Sequence, residues 1–326
     1  MLFERPKPIA PILKFSFRKS SSLSKGWDDC VAEANKGTPV SLDEIVQGLP
    51  VRQVRKLVSR ALFEDLGKGD LTTSLTVPEN TKARGIFYSK QPLVLAGLPV
   101  AEEVFRMLEP DYLWDAVIWD GTEVPAGQPL ARVEGNAVTL LSGERVALNF
   151  LQRLSGVATL TRKFKDQLRG FKTELLDTRK TTPGLRILEK YAVRMGGGTN
   201  HRMGLDDGIL IKNNHIAMAG GIGAAIEGVR QERPAGMPVE IEVRTREELG
   251  EAITAGADIA LLDNMSPDEV GDCVRLARGR VLLEVSGGVS LENIRAYAET
   301  GIDRISVGAL THSATAVDIN FLIDTL

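Results

Sequence analysis

The sequence is poor in the residues that would commit it to several classes of protein. Its two cysteines, Cys30 and Cys273, form neither a disulfide framework nor a metal-ligand pattern, which suits a reducing compartment. The three histidines, His201, His215 and His312, include no pair at a plausible zinc-ligand spacing. Aromatic residues are only 5% of the chain and no basic stripe interleaves with them, which argues against a nucleic-acid surface. Forty basic and forty-three acidic side chains leave a net charge of -3, so no global field recruits an anionic polymer. No apolar run approaches the length of a transmembrane helix. Any anion binding must come from local clustering.

A chain of 326 residues suffices for two domains, or for a barrel with an appendage. Residues 1–40 read as an N-terminal extension. Its first part, "MLFERPKPIAPILKFSFRKSSSLSKG", is basic and Ser-rich with Glu4 as the only acid. Disorder is the expected state, with a cytoplasmic protein behind it; an organellar transit peptide is the alternative. The folded part is expected to begin near Ser41, where Glu44 three residues on would complete a capping box.

A helix is expected from Val51 to Glu64, ended by Gly67. The strand candidates "ARGIFYSK", "PLVLAG", "AVIWDG" and "PLARVEG", with "PVAEEVFRMLEP" as a helix among them, give a small α+β domain over residues 41–150. "AVTLLSGERVALNFLQRLSGVATLTRKFKDQLRG" reads as two successive helices bridging to the rest. Over residues 151–326 the apolar runs "TELLD", "GILIK", "VEIEV", "IALLDN", "LLEVSGG" and "ISVGA" mostly alternate with helical segments. That alternation means parallel βαβ units. An early G-x-G-x-x-G is missing, so a closed β/α barrel is preferred to a dinucleotide-binding sheet.

Functional residues of such barrels sit at the C-terminal ends of strands and in the loops that follow. Those ends carry Arg179 and Lys180, Lys212, Glu240 and Glu242, Asp263, Ser286-Gly287-Gly288, and Gly308. Arg179 suits a planar carboxylate, and Lys180 and Lys212 are compact charges suited to phosphate. Glu242 and Asp263 are hard oxygen donors of the kind that holds Mg²⁺ through water and substrate phosphates. The Ser-Gly-Gly turn exposes backbone amides just before a helix expected to be capped by Ser290, as in the phosphate sites of many barrels. "MGGGTNHRMGL" adds His201 and Arg202, read as functional, whereas His215 is read as structural.

Together, "EDLGKGDLTT", "SGERVALNFLQRLSGVAT", "DTRKTTPGLRILEKYAVRMGGGTNHRMGLDDGILIKNNHI", "VEIEV", "LLDNM", "SGG" and "ISVGALTHS" resemble the quinolinate phosphoribosyltransferase family (nicotinate-nucleotide pyrophosphorylase, carboxylating). The resemblance runs from about Leu62 to His312. It implies an open α/β sandwich followed by an incomplete TIM-like barrel of fewer than eight strands. It implies conversion of quinolinate and phosphoribosyl pyrophosphate to nicotinate mononucleotide, pyrophosphate and CO₂, with Mg²⁺, in a homodimer or a hexamer of dimers. By the same resemblance, Arg145 of the neighbouring subunit, Arg179, His201, Arg202 and Lys212 meet the quinolinate carboxylates. Thr178 belongs to the same substrate-binding set. Lys180 binds the phosphoribosyl donor, and Glu242 and Asp263 hold its ribose hydroxyls and Mg²⁺-bound pyrophosphate. Ser286, Gly287, Gly288 and Gly308 take the 5-phosphate with His312 nearby.

Three rival readings fit these residues less well. A nicotinate or molybdenum-operon type pyrophosphorylase has one carboxylate fewer to bind, which leaves the Arg/His/Arg set underused. An aldolase or pyridoxal-phosphate barrel would use Lys212 as a Schiff-base amine, and nothing in the sequence suggests the desolvating environment that activates one. A non-catalytic anion-binding or nucleic-acid module lacks its basic stripes.

Overall fold

The computed structural model describes residues 49–326; the expected Ser41–Glu44 capping box and the 1–40 extension lie outside them. The first elements are α1 (Val51–Leu66), α2 (Leu71–Thr76), β1 (Lys82–Ser89), β2 (Leu93–Val94) and α3 (Leu98–Leu108). They continue with β3 (Leu113–Ala116), β4 (Glu123–Val124), β5 (Pro129–Asn136) and the long α4 (Ala137–Gln167). Helix α1 ends where expected, at Gly67, whose φ of 52° lies in the left-handed region. Strand β3 stops at Ala116, where the "AVIWDG" strand was expected to begin. There the Leu130 carbonyl accepts from both Val117 and Ile118 and closes the ladder. The chain then turns so that the buried Asp120 carboxylate accepts from the Gly97 and Leu98 amides at the start of α3, at 2.7 and 3.2 Å.

The expected pair of bridging helices is one helix, α4. Asn136 caps it by accepting from the Val138 amide at 2.8 Å, and no proline interrupts it. Its internal Ser-Gly pairs are packing sites rather than breaks. Gly143 lies under Phe105 and Leu108, and Gly156 lies under the Thr315 backbone. The division expected at residues 150/151 therefore falls inside a continuous helix.

The barrel half contains β6 (Glu174–Leu176), α5 (Arg186–Met195), β7 (Ile209–Ile211), α6 (Asn213–Ala219), α7 (Ile222–Glu232) and β8 (Val239–Val243). It continues through α8 (Arg246–Ala255), β9 (Ile259–Asp263), α9 (Pro267–Ala277), β10 (Leu282–Ser286), α10 (Ile294–Glu299), β11 (Arg304–Ser306) and α11 (Ala309–His312). The chain ends in β12 (Ile319–Thr325). Six parallel strands run in the order β6-β11-β10-β9-β8-β7. The first and last strands of the barrel are thus neighbours, but β6 and β7 are not paired. The barrel is incomplete at that seam, as the resemblance implies. Thr199 lies along the β6 edge instead: its amide donates to the Leu175 carbonyl at 2.8 Å, and its carbonyl accepts from the Asp177 amide at 3.1 Å.

β12 was expected within the barrel domain. It pairs antiparallel with β1 instead, in a four-stranded sheet of order β12-β1-β5-β3. Phe321 supports this pairing by packing its ring, tilted, 4.3 Å from that of Phe87, within a cluster that includes Phe105 and Trp114. The two halves are therefore laced together by α4 and by the returning C-terminus.

One close approach on α4 gives a direct test of this packing. A Cβ built at Gly156 overlaps the Thr315 carbonyl oxygen, which is backbone and cannot swing aside. Gly156→Ala should lower stability by about 1–3 kcal/mol in denaturant unfolding; an unchanged midpoint would contradict this packing.

Candidate active site

In β6 to β11, side chains two apart share a face, and the register fixes which ones point into the barrel. Glu240 aligns with Ile259, Glu242 and Glu284 both align with Leu261, and Asp263 aligns with Ser286. Glu284 also aligns with Arg304, and Ser286 with Ser306. One face therefore carries Glu240, Glu242, Asp263, Glu284 and Ser286. Most barrels fill that interior with branched apolar residues. Here its inner part is acidic and its outer rim is basic.

The basic rim is organised by two ion pairs, one fully buried and one with a fully buried carboxylate. At the end of β6, the Asp177 carboxylate accepts from Lys190 Nζ of α5, from Asn200 Nδ2 at 2.6 Å and from the His201 amide at 2.9 Å. Lys190 also donates to the His201 carbonyl at 2.8 Å. Burial raises the Asp177 pKa and lowers that of Lys190, each against the attraction of its partner. Arg153 of α4 supplies the second pair, meeting the fully buried Glu189 of α5 at 2.6 Å. Glu189 in turn accepts from the Thr182 amide at 2.9 Å and hydroxyl at 2.7 Å. These contacts hold the Thr-Thr-Pro-Gly turn, and with it Arg179 and Lys180.

The candidate residues fall into three groups. Arg202 lies close enough to Arg179 for that charge, after burial, to lower the Arg202 pKa. Its guanidinium donates to the Gly208 carbonyl at 2.9 Å. His201 sits beneath, with Nε2 3.1 Å from Glu240 and 3.6 Å from Glu284. Lys212 Nζ is 3.3 Å from Glu242, whose other oxygen accepts from Asn213 Nδ2 at 2.7 Å. The His215 ring accepts from the Lys212 amide at 2.9 Å, a structural contact as expected.

On the other side of the mouth, Thr178 accepts from the Lys180 amide at 3.0 Å, and Thr311 donates to the Lys180 carbonyl at 2.8 Å. A Cβ at Gly308 would lie 2.9 Å from Lys180 Cδ and 3.0 Å from His312 Nε2, so these three residues converge. Gly287 and Gly288 take φ of 96° and 64°, and Gly287 lies against Asn264, itself at φ 56°. Asn264 donates to Asp263 at 3.0 Å from its side chain and to the Ser286 carbonyl at 2.9 Å from its amide. A left-handed asparagine at this strand end costs backbone energy and holds the Asp263 carboxylate in place. Ser290, expected as a helix cap, opens a turn instead. Asn293 closes that turn by accepting from the Ser290 amide at 2.8 Å and donating to the Gly288 carbonyl at 2.9 Å.

Arg145 stands apart from all of these. It projects from α4 with 60% of its side chain exposed, 3.9 Å from its neighbour Glu144. Sequence reasoning did not single out Asp177, Lys190, Arg153, Glu189, Asn213 or Asn264. The available signal was a charged residue placed on an otherwise apolar helical face, as for Arg153 and Lys190.

The ion pair at β6 carries its own prediction. Lys190→Met leaves the Asp177 carboxylate buried without its cation and should cost about 3–5 kcal/mol in urea unfolding. The double variant with Asp177→Asn should recover part of that loss. A single-variant loss below about 1 kcal/mol would remove the pair from its organising position.

Comparison with known proteins accounts for nearly all of the described chain. A family model described as quinolinate phosphoribosyl transferase, N-terminal domain, matches residues 70–155, and the corresponding C-terminal domain matches residues 157–322. A Bacillus subtilis protein named probable nicotinate-nucleotide pyrophosphorylase (carboxylating) is 44% identical over 268 residues, covering 82% of this chain and 92% of that one. A tobacco (Nicotiana tabacum) protein named quinolinate phosphoribosyltransferase (decarboxylating) 2b, mitochondrial, is 40% identical over 314 residues, covering 90% and 89%. The solved nicotinate-nucleotide pyrophosphorylase from Francisella tularensis superposes with a TM-score of 0.82 at 40% identity, covering 88% of this chain and 100% of that one. With the two domain models matched in succession and the barrel seam and rim in place, the chain belongs to the quinolinate phosphoribosyltransferase family.

Proposed function

We propose that this protein joins quinolinate to the phosphoribosyl group of phosphoribosyl pyrophosphate, releasing pyrophosphate and CO₂ and leaving nicotinate mononucleotide for NAD synthesis. The observation that carries this reading is the rim itself. Arg179, Arg202, Lys212 and Lys180 are gathered at one end of the barrel in a chain of net charge -3. Cations held that close repel one another, and anionic substrates relieve the repulsion. Arg179, Arg202 and Lys212 face the two quinolinate carboxylates, and His201 lies beneath them. Thr178 orders the turn that presents Lys180 to the leaving pyrophosphate. The amides of Ser286, Gly287 and Gly288, with Gly308 and His312, take the 5-phosphate.

The donor set also suits Mg²⁺. Glu242 and Asp263 offer hard oxygens on one face of adjacent strands, and Asn213 Oδ1 beside Glu242 is buried without a hydrogen-bond partner. Mg²⁺ held there through water and substrate phosphates would neutralise charge building on the departing pyrophosphate. The pyridine nitrogen lone pair forms the new bond to the anomeric carbon as the bond to pyrophosphate breaks. Glu242 and Asp263 favour the positive charge that develops on the sugar. The pyridinium then accepts the electron pair of the breaking ring–carboxylate bond; CO₂ leaves and the ring carbon takes a proton.

The quinolinate reading differs from a nicotinate reading in its gas. Purified protein should release CO₂ from carboxyl-labelled quinolinate in step with pyrophosphate. Turnover of nicotinate with none of quinolinate would overturn the assignment.

The exposed Arg145 is best used by a second subunit, so we propose a homodimer, alone or as a unit of a hexamer. Mixing inactive Arg145→Ala with inactive Lys180→Ala protein should restore activity once subunits exchange, because one site of each hybrid is intact. Exchange without recovery would contradict action in trans. Among the described residues no helix is long and apolar enough to cross a membrane, and Cys273 is a buried free thiol. We place the protein in the cytoplasm, a reducing compartment that such a thiol suits; the tobacco relative's name specifies mitochondria.

A further inference from the structure

His201 is the most enclosed member of the rim, and both of its ring nitrogens are already engaged. The Arg202 amide donates to Nδ1 at 2.8 Å. Nε2 faces Glu240 Oε2 at 3.1 Å and Glu284 Oε1 at 3.6 Å. The backbone is fixed as tightly, with the His201 amide on Asp177 and its carbonyl on Lys190. The ring therefore spans the gap between the acidic interior of the barrel and the peptide that carries Arg202.

We propose that His201 is a neutral strut, protonated on Nε2 only, and that Glu240 and Glu284 are positioning residues acting through it on the Arg202 guanidinium. A nitrogen that accepts the Arg202 N–H must present a lone pair, so Nδ1 has no place for a proton. An imidazolium would set two N–H groups against each other at 2.8 Å. The remaining ring proton lies on Nε2 and is donated to Glu240.

The charges nearby divide on this point. Burial disfavours a charged imidazole and Lys190 repels it, whereas Glu240 and Glu284 favour it strongly enough to raise the His201 pKa. The hydrogen bond at Nδ1 decides the matter in favour of the neutral ring. Burial, followed by the Glu240 charge, pushes Glu284 up to about 7. Glu240 and Glu284 flank β9 on the inner face, with 6% and 1% of their side chains exposed. Glu240 Oε1 and both Glu284 oxygens meet no hydrogen-bond partner among the described residues.

The same three residues place a nitrogen and two oxygens within 4.8 Å of one another, an arrangement that could hold a metal. A neutral imidazole bound to a metal through Nε2 would have to carry its proton on Nδ1, which the Arg202 amide forbids. A proton on Nε2 fits where a metal does not.

The inference rests on the proposed function only for the identity of the anion at Arg202. The first measurement is made on free protein and involves no turnover. Long-range ¹⁵N-edited NMR of the full chain should show His201 at pH 7 with a protonated Nε2 and a bare Nδ1. Only three histidines contribute, and Asn substitutions at His215 and His312 assign the third. Two protonated nitrogens, or a proton on Nδ1 with a metal present, would overturn the strut.

The second measurement separates a hydrogen-bond acceptor from a negative charge. Glu240→Gln retains an oxygen that accepts from Nε2, so its KM for quinolinate should stay within about twofold of wild type. Glu240→Leu removes the acceptor and should raise that KM by about tenfold, with the KM for phosphoribosyl pyrophosphate little changed. An equal loss in both variants would show that the charge matters and that His201 acts as a cation. Absence of quinolinate turnover together with the expected NMR tautomer would instead count against the proposed reaction.

Discussion

A buried carboxylate at the end of the first barrel strand joins what the sheet leaves apart. β6 and β7 never pair, so the chain between them has no ladder to define its path. Asp177 replaces that ladder with hydrogen bonds to Lys190, Asn200 and the His201 amide. Thr199 covers the exposed β6 edge alongside it. Arg153 and Glu189 do the same for the opposite end of the segment, tying it to the long helix that spans both halves. The open seam thus becomes the place where three cations are presented, and its order depends on two ion pairs whose carboxylates water does not reach. Such pairs add little net stability when intact, but losing one member is costly, which makes the arrangement specific.

The interior shows why charge can be concentrated so steeply. Acidic side chains at Glu240, Glu242, Asp263 and Glu284 lie below a rim of Arg179, Lys180, Arg202 and Lys212. The acids offset part of the cation repulsion across the mouth, and the Lys212–Glu242 contact at 3.3 Å is one direct instance. The rim nevertheless keeps exposed cationic ends at Lys180 and Lys212. Two small polyanions supply what the protein alone does not. Backbone amides at Gly287 and Gly288 add donors without adding charge, and the left-handed Asn264 beside them keeps Asp263 turned to the same opening.

Much of this was legible in the residues. All six barrel strands were readable as apolar runs, and the strand ends marked the mouth because polar residues recur there one after another. The central "DTRKTTPGLR" and "MGGGTNHR" motifs, with the blocks around them, indicated the family. The misses have physical causes. Apolar periodicity continues unbroken through Ser-Gly pairs in α4, and only tertiary contact shows that Gly143 and Gly156 are packing sites rather than breaks. β12 reads like any short strand, and its return to the first sheet is decided by Phe321 meeting Phe87. Asp177 and Lys190 are thirteen positions apart, so no local pattern joins them. The engagement of both His201 nitrogens is likewise invisible until the Arg202 amide is placed.

A rim built for two carboxylates on one ring should tell quinolinate from nicotinate. Calorimetric titration of the free enzyme with quinolinate and with nicotinate, at one fixed ionic strength, tests it most directly. Quinolinate should bind at least about tenfold more tightly, since its second carboxylate gains a charge-assisted contact worth about 1.5–3 kcal/mol. Equal affinity for the two acids would contradict the account.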